Sequence, residues 1–507
     1  MNLNRTNLWI VVIAVINIVI HLMFYANLEY HRDELLYFAL GNHPDLGYAT
    51  VPPLIGWIAW VMQTIFGYSL FAVKFFPALL SGALVVVAAK IAKELGGVTY
   101  AQILTAIAIV FMPVGLRAFH LFQPVAIDLF LWTLLLYYTL RYINTEDKKY
   151  LITLGFVLGI ALLNKYLIVL LTLAILIAWL IGTQRTIFKR SALYSSFAIA
   201  LLIFSPNLIW QIINDFPVVG HMNALHENQL VYVDRFGFLM DQLLMTFSVC
   251  FIVVIGFIFL VRKRAYRYIA ISTVIVLLTL YFLQGKSYYT MGLFPVLIAA
   301  GCVAIENGIK NKIVRIVVPI AIVLCTLPAF PIGLPVYPEE GLVEYFKKLE
   351  AKYGLEIGRR FEDGTIHSLP QDYADQLGWE ELTAITNSVY KSIAEKEKVV
   401  IYAENYGQAG AIAVIGKKYD LPEPVSFHES FFYWAPKAYG PNIEYMIYIN
   451  DEIGDDVRAA FENVELMGSI SNVNAREYGT RVYLCSKPKI PFNELWQQAR
   501  KRVTNPF

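Results

Sequence analysis

Charge is scarce in this sequence. Asp, Glu, Lys and Arg make up 16 % of its 507 residues, where a soluble protein carries about a quarter. With 57 % hydrophobic and 14 % aromatic residues, the composition excludes an ordinary soluble domain and points to a membrane protein. Concentrated positive charge is missing as well. The net charge is +2, and no basic tail or cluster of the kind that grips phosphate backbones is present, so nucleic acid is not expected as a partner. Cysteine is rare. Cys250, Cys302, Cys325 and Cys485 have neither paired nor metal-like spacing, which argues against a disulfide framework or a zinc site. Internal repeats, heptads and low-complexity tracts are absent. The first apolar run is not followed by the small residues of a signal cleavage site, so it is expected to stay as an uncleaved first span.

What the sequence does have is a series of apolar runs that stops near residue 334. Spans are expected near 8–26, 69–90, 98–115, 124–142, 150–163, 165–182, 192–212, 237–261, 268–283, 291–308 and 313–333, most of them close to the length that crosses a bilayer and 150–163 and 268–283 shorter. Residues 52–66 form a shorter stretch carrying Trp57 and Trp60, suited to a helix lying in the interface. With a cytoplasmic N-terminus, the inside loops hold the basic groups, among them Arg262, Lys263, Arg264 and Arg267, while outside loops hold isolated ones. That asymmetry follows the positive-inside rule. It requires the run 150–182 to be a hairpin of two helices broken at Asn164 and Lys165, since one long helix would invert every later loop. After Pro335 the composition becomes that of a soluble domain, with strands expected at 399–402, 444–449, 464–470 and 481–485 and helices between them. Residues 405–410 (Asn-Tyr-Gly-Gln-Ala-Gly) lack the spacing and lysine of a phosphate loop, and are expected to be a tight strand–helix turn. The expected fold is therefore a polytopic α-helical membrane domain over 1–334, with about eleven transmembrane helices plus interfacial ones. An α/β domain over 335–507 follows, extracytoplasmic by span parity.

Ionisable groups at a membrane face are functional candidates by default. The outer-face set begins directly after the first span with His31, Arg32, Asp33 and Glu34, and continues with Gly47 and Tyr48 and with Val51, Pro52, Pro53 and Leu54. Arg117, His120, Gln123, Asp128, Asn164, Lys165, Lys286, Tyr288 and Tyr289 come from other loops expected at the same face. A carboxylate can take a proton from an attacking hydroxyl or amine, and lysine or arginine can neutralise a phosphate leaving group. Transfer from a lipid phosphate needs both. Bland roles compete: Asp128 can pair within a bundle, Lys165 can snorkel to the interface, and Lys286 sits in a tight turn beside Gly285. His21 suits a buried, hydrogen-bonded role, and His221 and His226 lack metal-like spacing. No metal ligands are assigned, although a divalent metal is compatible with such a site.

Arg32-Asp33-Glu34, Gly47-Tyr48, Pro52-Pro53-Leu54, Lys165-Tyr166 and Lys286-Ser-Tyr-Tyr289, in that order, resemble the motifs of bacterial GT-C glycosyltransferases of the family-39 type, related to protein O-mannosyltransferases and lipid A aminoarabinose transferases. The resemblance covers residues 1 to about 334, and residues 375–381, 402–410 and 428–434 look like the outer domain of a bacterial subgroup. It implies an inverting transfer of a sugar from a polyprenyl-phosphate donor to a lipid, glycan or protein acceptor, at the outer face of the bacterial plasma membrane. Asp33 would be the catalytic carboxylate and Glu34 its neighbour; Lys286, Tyr288 and Tyr289 would meet the donor phosphate, with Arg32, Tyr48, Arg117, Asp128 and Lys165 as further substrate-binding residues. Val51 stands where the aminoarabinose transferases carry a lysine, so the acceptor is open. Two other classes are weighed against this. A secondary transporter would place its charges mid-membrane, often in two related halves, and a membrane-anchored binding or sensor protein would not need so many spans.

Overall fold

The computed structural model describes residues 5–228, 230–361, 364–440 and 442–503. It divides into two compact units: Met1–Phe24, Val51–Leu54 and Lys74–Leu334 form the first, and Tyr25–Thr50, Ile55–Val73 and Pro335–Phe507 the second. Two stretches expected in the membrane half, 25–50 and 55–73, thus cluster with the C-terminal residues. The interfacial candidate forms the helix Leu54–Phe66, all but its first residue in the second unit.

The first unit is helical. Among the described residues six helices are long and apolar enough to cross a membrane: Arg5–Met23, Leu70–Glu94, Pro124–Thr145, Ser191–Ile213, Ser287–Gly308 and Lys312–Gly333. Shorter apolar helices include Thr99–Val110, Ile168–Ile181, Cys250–Arg262 and Arg267–Phe282. The helix Arg5–Met23 buries Ile10, Ala14, Asn17 and His21, a single stripe at helical spacing, and exposes Trp9, Val12, Val15, Ile16 and Val19. A helix with that much apolar surface turned outward is solvated by lipid, not water. The chain is a multi-pass membrane protein.

Two expected spans are broken, and each break has a cause. The run 98–115 ends as a helix at Val110 and restarts as Pro113–Ala118, because Pro113 has no N–H to continue the ladder. The run 237–261 splits into Arg235–Leu244 and Cys250–Arg262. The breaks satisfy one another: Val114 N–H donates to Met245 O at 3.1 Å, and the hydroxyls of Ser248 and Thr326 donate to Phe111 O at 2.9 and 3.1 Å. In a bilayer, freed backbone groups survive only when protein atoms replace the lost bonds. The run 150–182 is two helices, Lys148–Leu162 and Ile168–Ile181. Its tip is held by Asn164, whose amide donates to Pro124 O at 3.0 Å.

The second unit carries a four-stranded sheet, β1 (Val399–Ala403), β2 (Tyr445–Asn450), β3 (Phe461–Ser469) and β4 (Arg481–Pro488), in the order β1-β2-β4-β3. β1 and β2 are parallel and the other pairs antiparallel. A parallel pair needs a crossover, and the helix Tyr406–Val414 lies within it. The free edge of β1 is covered by Val425, which accepts from Ala403 N–H and donates to Ile401 O. The C-terminal helix Phe492–Arg502, not anticipated from the sequence, closes the core with Phe492 and Trp496.

Close helix packing in the first unit depends on Gly256 and Gly301. A methyl group on Gly256 would lie 1.9 Å from the Leu297 carbonyl oxygen, and one on Gly301 2.1 Å from that of Ile252. Small residues are what let membrane helices approach this closely. Gly256→Ala is expected to force the helices Cys250–Arg262 and Phe294–Gly308 apart and to destabilise the protein by about 1–3 kcal/mol. A thermal unfolding midpoint in detergent equal to that of the parent would contradict this.

Candidate active site

The stretch after the first span is built into the second unit. Glu29 N–H donates to Gln376 O at 3.0 Å and Arg32 N–H to Asp375 O at 2.9 Å, while the Glu29 carboxylate accepts from Glu380 N–H at 2.9 Å. That last bond caps the helix Trp379–Ser392, whose own N-cap position is Gly378 and supplies no side chain. The chain then turns into a short helix, Arg32–Ala39, capped by His31. His31 Nδ1 accepts from Asp33 N–H at 3.1 Å, and the Glu34 carboxylate accepts from His31 N–H at 2.9 Å, completing a capping box. With Nδ1 accepting, the imidazole proton sits on Nε2, which faces the carboxylates of Asp372 and Asp375 at 3.9 and 3.8 Å. Adjacent helical residues point about 100° apart, and this separates the two acids. Glu34 is fully buried and turns back on its own helix start. Asp33, partly exposed, points elsewhere.

Asp33 Oδ1 accepts a hydrogen bond from the Tyr406 hydroxyl at 2.9 Å. Tyr406 is the first residue of the helix Tyr406–Val414, which Asn405 caps by accepting from Gly407 N–H and Gln408 N–H at 2.9 and 3.0 Å. The stretch 405–410 is therefore the expected strand–helix turn, but its glycines have a second use. A methyl on Gly410 would lie 2.8 Å from Leu35 Cβ and 2.9 Å from Leu35 carbonyl carbon. One on Gly407 would lie 2.8 Å from Arg32 Cγ. Residues three apart share a helix face, so this face is bare and the acid-bearing helix lies directly on it.

Other groups surround the Asp33–Tyr406 pair. The Arg32 guanidinium stands 4.5 Å from the Tyr406 ring centroid, a cation–π distance, and its Nε is 4.0 Å from Glu477. Glu477 in turn accepts from Asn405 and Gln408 at 3.3 and 3.0 Å. Tyr406 N–H donates to His428 Nδ1 at 3.3 Å; burial, then the Arg32 charge, bring His428 down to about 4, so the ring is neutral and can accept. Burial, followed by the Asp33 charge, raises the Tyr406 phenol well above its ordinary value, so it keeps its proton and donates. Glu429 adopts φ +57°, a region that side-chain-bearing residues seldom occupy, and accepts from the Thr50 hydroxyl at 2.6 Å. Burial, with Asp33 acting in the same direction, pushes its carboxyl up to about 7, against the pull of Thr50 and Arg32.

A second constellation lies in the helical unit. Lys165 Nζ, at the hairpin tip, stands 4.3 Å from the Tyr289 ring centroid and 5.3 Å from that of Tyr288, and the two rings meet edge to face. Asp128 and Lys286 are its charged neighbours. Asp128 is buried on the helix Pro124–Thr145. Trp132, one turn further on, is its side-chain hydrogen-bonding neighbour.

The structure thus sorts the sequence candidates. Arg32 and Asp33 share one constellation; Asp128, Lys165, Lys286, Tyr288 and Tyr289 share another. Glu34 is engaged as a capping carboxylate. Tyr48 is buried, its hydroxyl bonded to Leu40 O and His43 O at 3.2 Å each, so it stitches its own loop together. Arg117 is exposed at the end of the helix Pro113–Ala118. Among the described residues no group of three or more His, Cys, Asp or Glu side chains is placed to hold a metal. Tyr406, His428 and Glu429 lie in the stretches 402–410 and 428–434 already noted for their resemblance, but neither they nor Thr50 were among the candidate site residues. The i, i+3 glycine pair at 407 and 410 was the legible signal, since such a pair marks a face meant for close approach.

This architecture is the GT-C glycosyltransferase fold. The chain is similar to the crystal structure of ArnT from Cupriavidus metallidurans in the apo state, with a TM-score of 0.64 at 13 % identity, covering 95 % of this chain and 98 % of that one. It is similar also to the same organism's ArnT bound to undecaprenyl phosphate, with a TM-score of 0.62 at 14 % identity, covering 94 % and 97 %. Residues 50–210 match the family model described as dolichyl-phosphate-mannose-protein mannosyltransferase. That stretch includes Arg117, Asp128 and Lys165; Asp33 and Lys286 fall outside it. Among curated proteins none matches by sequence.

Because Glu429 is held near 7 in the fold and carboxyls titrate at about 4.3 when exposed, the folded state binds more protons between those values. Its contribution to stability is present below the exposed value and is lost as pH rises through about 7. Glu429→Gln keeps an acceptor for Thr50 and cannot ionise. Its unfolding midpoint is expected to fall less than the parent's between pH 5 and pH 8; parallel curves for the two proteins would refute the assignment.

Proposed function

We propose that this protein is an inverting glycosyltransferase that moves a sugar from a polyprenyl-phosphate donor to a lipid, glycan or protein acceptor at the outer face of the bacterial plasma membrane. The observation that carries the reading is the Asp33 carboxylate, set at a helix start in a GT-C fold and held there by a buried-network phenol. In this reading Asp33 takes the proton from the acceptor as the bond to the lipid phosphate breaks. Lys286, Lys165 and the Tyr288–Tyr289 pair hold the phosphate, because cations balance the charge that builds on the leaving group. Asp128, buried on its helix with Trp132 beside it, suits a contact to the polar part of a donor. Arg117 is a further phosphate ligand by the same logic. The reading also takes about eleven spans and an extracytoplasmic C-terminal region.

Two experiments test it. Purified protein is supplied with undecaprenyl-phosphate hexoses and pentoses together with lipid, glycan and protein fractions of the cell envelope as acceptors, and release of undecaprenyl phosphate that depends on the acceptor is followed. Asp33→Asn keeps the shape and removes the basicity, and is expected to lower transfer by roughly 100-fold or more while still binding undecaprenyl phosphate. Near-normal turnover in Asp33→Asn together with an inactive Glu34→Gln would move the base to Glu34; full activity in both would end the mechanism. Lys286→Met is expected to weaken donor use by about 1.5–3 kcal/mol, the worth of a charge-assisted bond. An unchanged apparent affinity for undecaprenyl phosphate would remove Lys286 from the site.

A further inference from the structure

We propose that Tyr406 is a positioning residue for the Asp33 carboxylate, so that a helix more than 370 residues downstream sets the geometry of the base. The inference rests on the reading of Asp33 as that base. A carboxylate at the start of a short helix is poorly fixed by its own backbone, since the terminal torsion of Asp is broad. The phenol bond at 2.9 Å to Oδ1 removes that freedom. Fixing matters because small misplacement of a reacting group lowers rate steeply even when binding is intact.

Tyr406 is itself held from several directions, as a positioning group has to be. Its backbone N–H is taken by His428, its ring face carries the Arg32 guanidinium, and its helix start is capped by Asn405 and Gln408. The bare face at Gly407 and Gly410 brings the helix Tyr406–Val414 onto Leu35 and Arg32, close enough for the phenol to reach Asp33. A tyrosine used only for packing would not need the bond its hydroxyl makes to Asp33. Phenylalanine would fill the same space.

The test is a double-mutant cycle on the full-length protein, with release of undecaprenyl phosphate from the same donor panel as the readout. Tyr406→Phe is expected to lower kcat about tenfold or more, the range for a bond to a charged group. KM for the donor should stay within about twofold and the unfolding midpoint should not move. In an Asp33→Asn background the same change should slow the residual rate no further, because the group it positions is gone. A full rate in Tyr406→Phe, a KM that rises in step with the loss, or an equal loss in both backgrounds would each overturn the inference. Near-normal turnover of Asp33→Asn alone would instead overturn the reading beneath it. Should Tyr406→Phe fail to fold, fluorotyrosine at 406 alters the donor strength and keeps the shape. A kcat that tracks phenol acidity supports the inference; one indifferent to it refutes it.

Discussion

The second unit depends on one packing constraint, the contact of the helix Arg32–Ala39 with the glycine face of Tyr406–Val414. At Gly410 the approach leaves less room than a methyl group needs before it meets the Leu35 backbone. Around that contact the polar groups fall into place. Glu29 and Arg32 pair with the backbone at 375 and 376, Thr50 bonds Glu429, and Ala49 N–H donates to Ser430 Oγ at 3.1 Å. Each bond alone contributes only about 1 kcal/mol. Together they convert a loop that leaves a membrane helix into a rigid part of a folded unit, which is what a precisely aimed carboxylate requires.

In the helical unit the governing demand is different. Lipid cannot satisfy backbone groups, so every interruption of a helix has to be answered by protein atoms. The breaks before Pro113 and after Leu244 answer each other, and Ser248 and Thr326 complete the exchange at Phe111 O. The Asn164 amide does the same for the hairpin tip. That tip carries Lys165, and the aromatic pair beside it gives the ammonium a polarisable wall where water is scarce. Charge is admitted into this unit sparingly and next to partners, as the cost of ionised groups in lipid requires.

Much of this was legible in advance. The apolar runs located the helices to within a few residues, the charge asymmetry required the hairpin at Asn164 and Lys165, and the strands near 399, 445 and 481 stood where expected. The misses share a physical origin. A long apolar run does not reveal a break whose backbone is satisfied from another helix, so 98–115 and 237–261 looked continuous. The helix Phe492–Arg502 is polar on average, and only its contacts through Phe492 and Trp496 show that it belongs to the core.

What the sequence by itself determined was the local and the compositional. Scarce charge made a membrane protein, the period of apolar residues made helices, and the Arg32-Asp33-Glu34 triplet after the first span stood out as a candidate for chemistry. Hydrophobicity and helical period act over a few turns, so a single chain read in order contains them. Only the tertiary structure showed the different surroundings of the two neighbouring acids, Glu34 capping its own helix start and Asp33 bonded to Tyr406. Only it could bring Thr50 to Glu429 and turn 25–50 toward the C-terminal residues. Those choices depend on which helix faces can approach one another, and the absence of a side chain at Gly407 and Gly410 has meaning only once the surface that fills the gap is known.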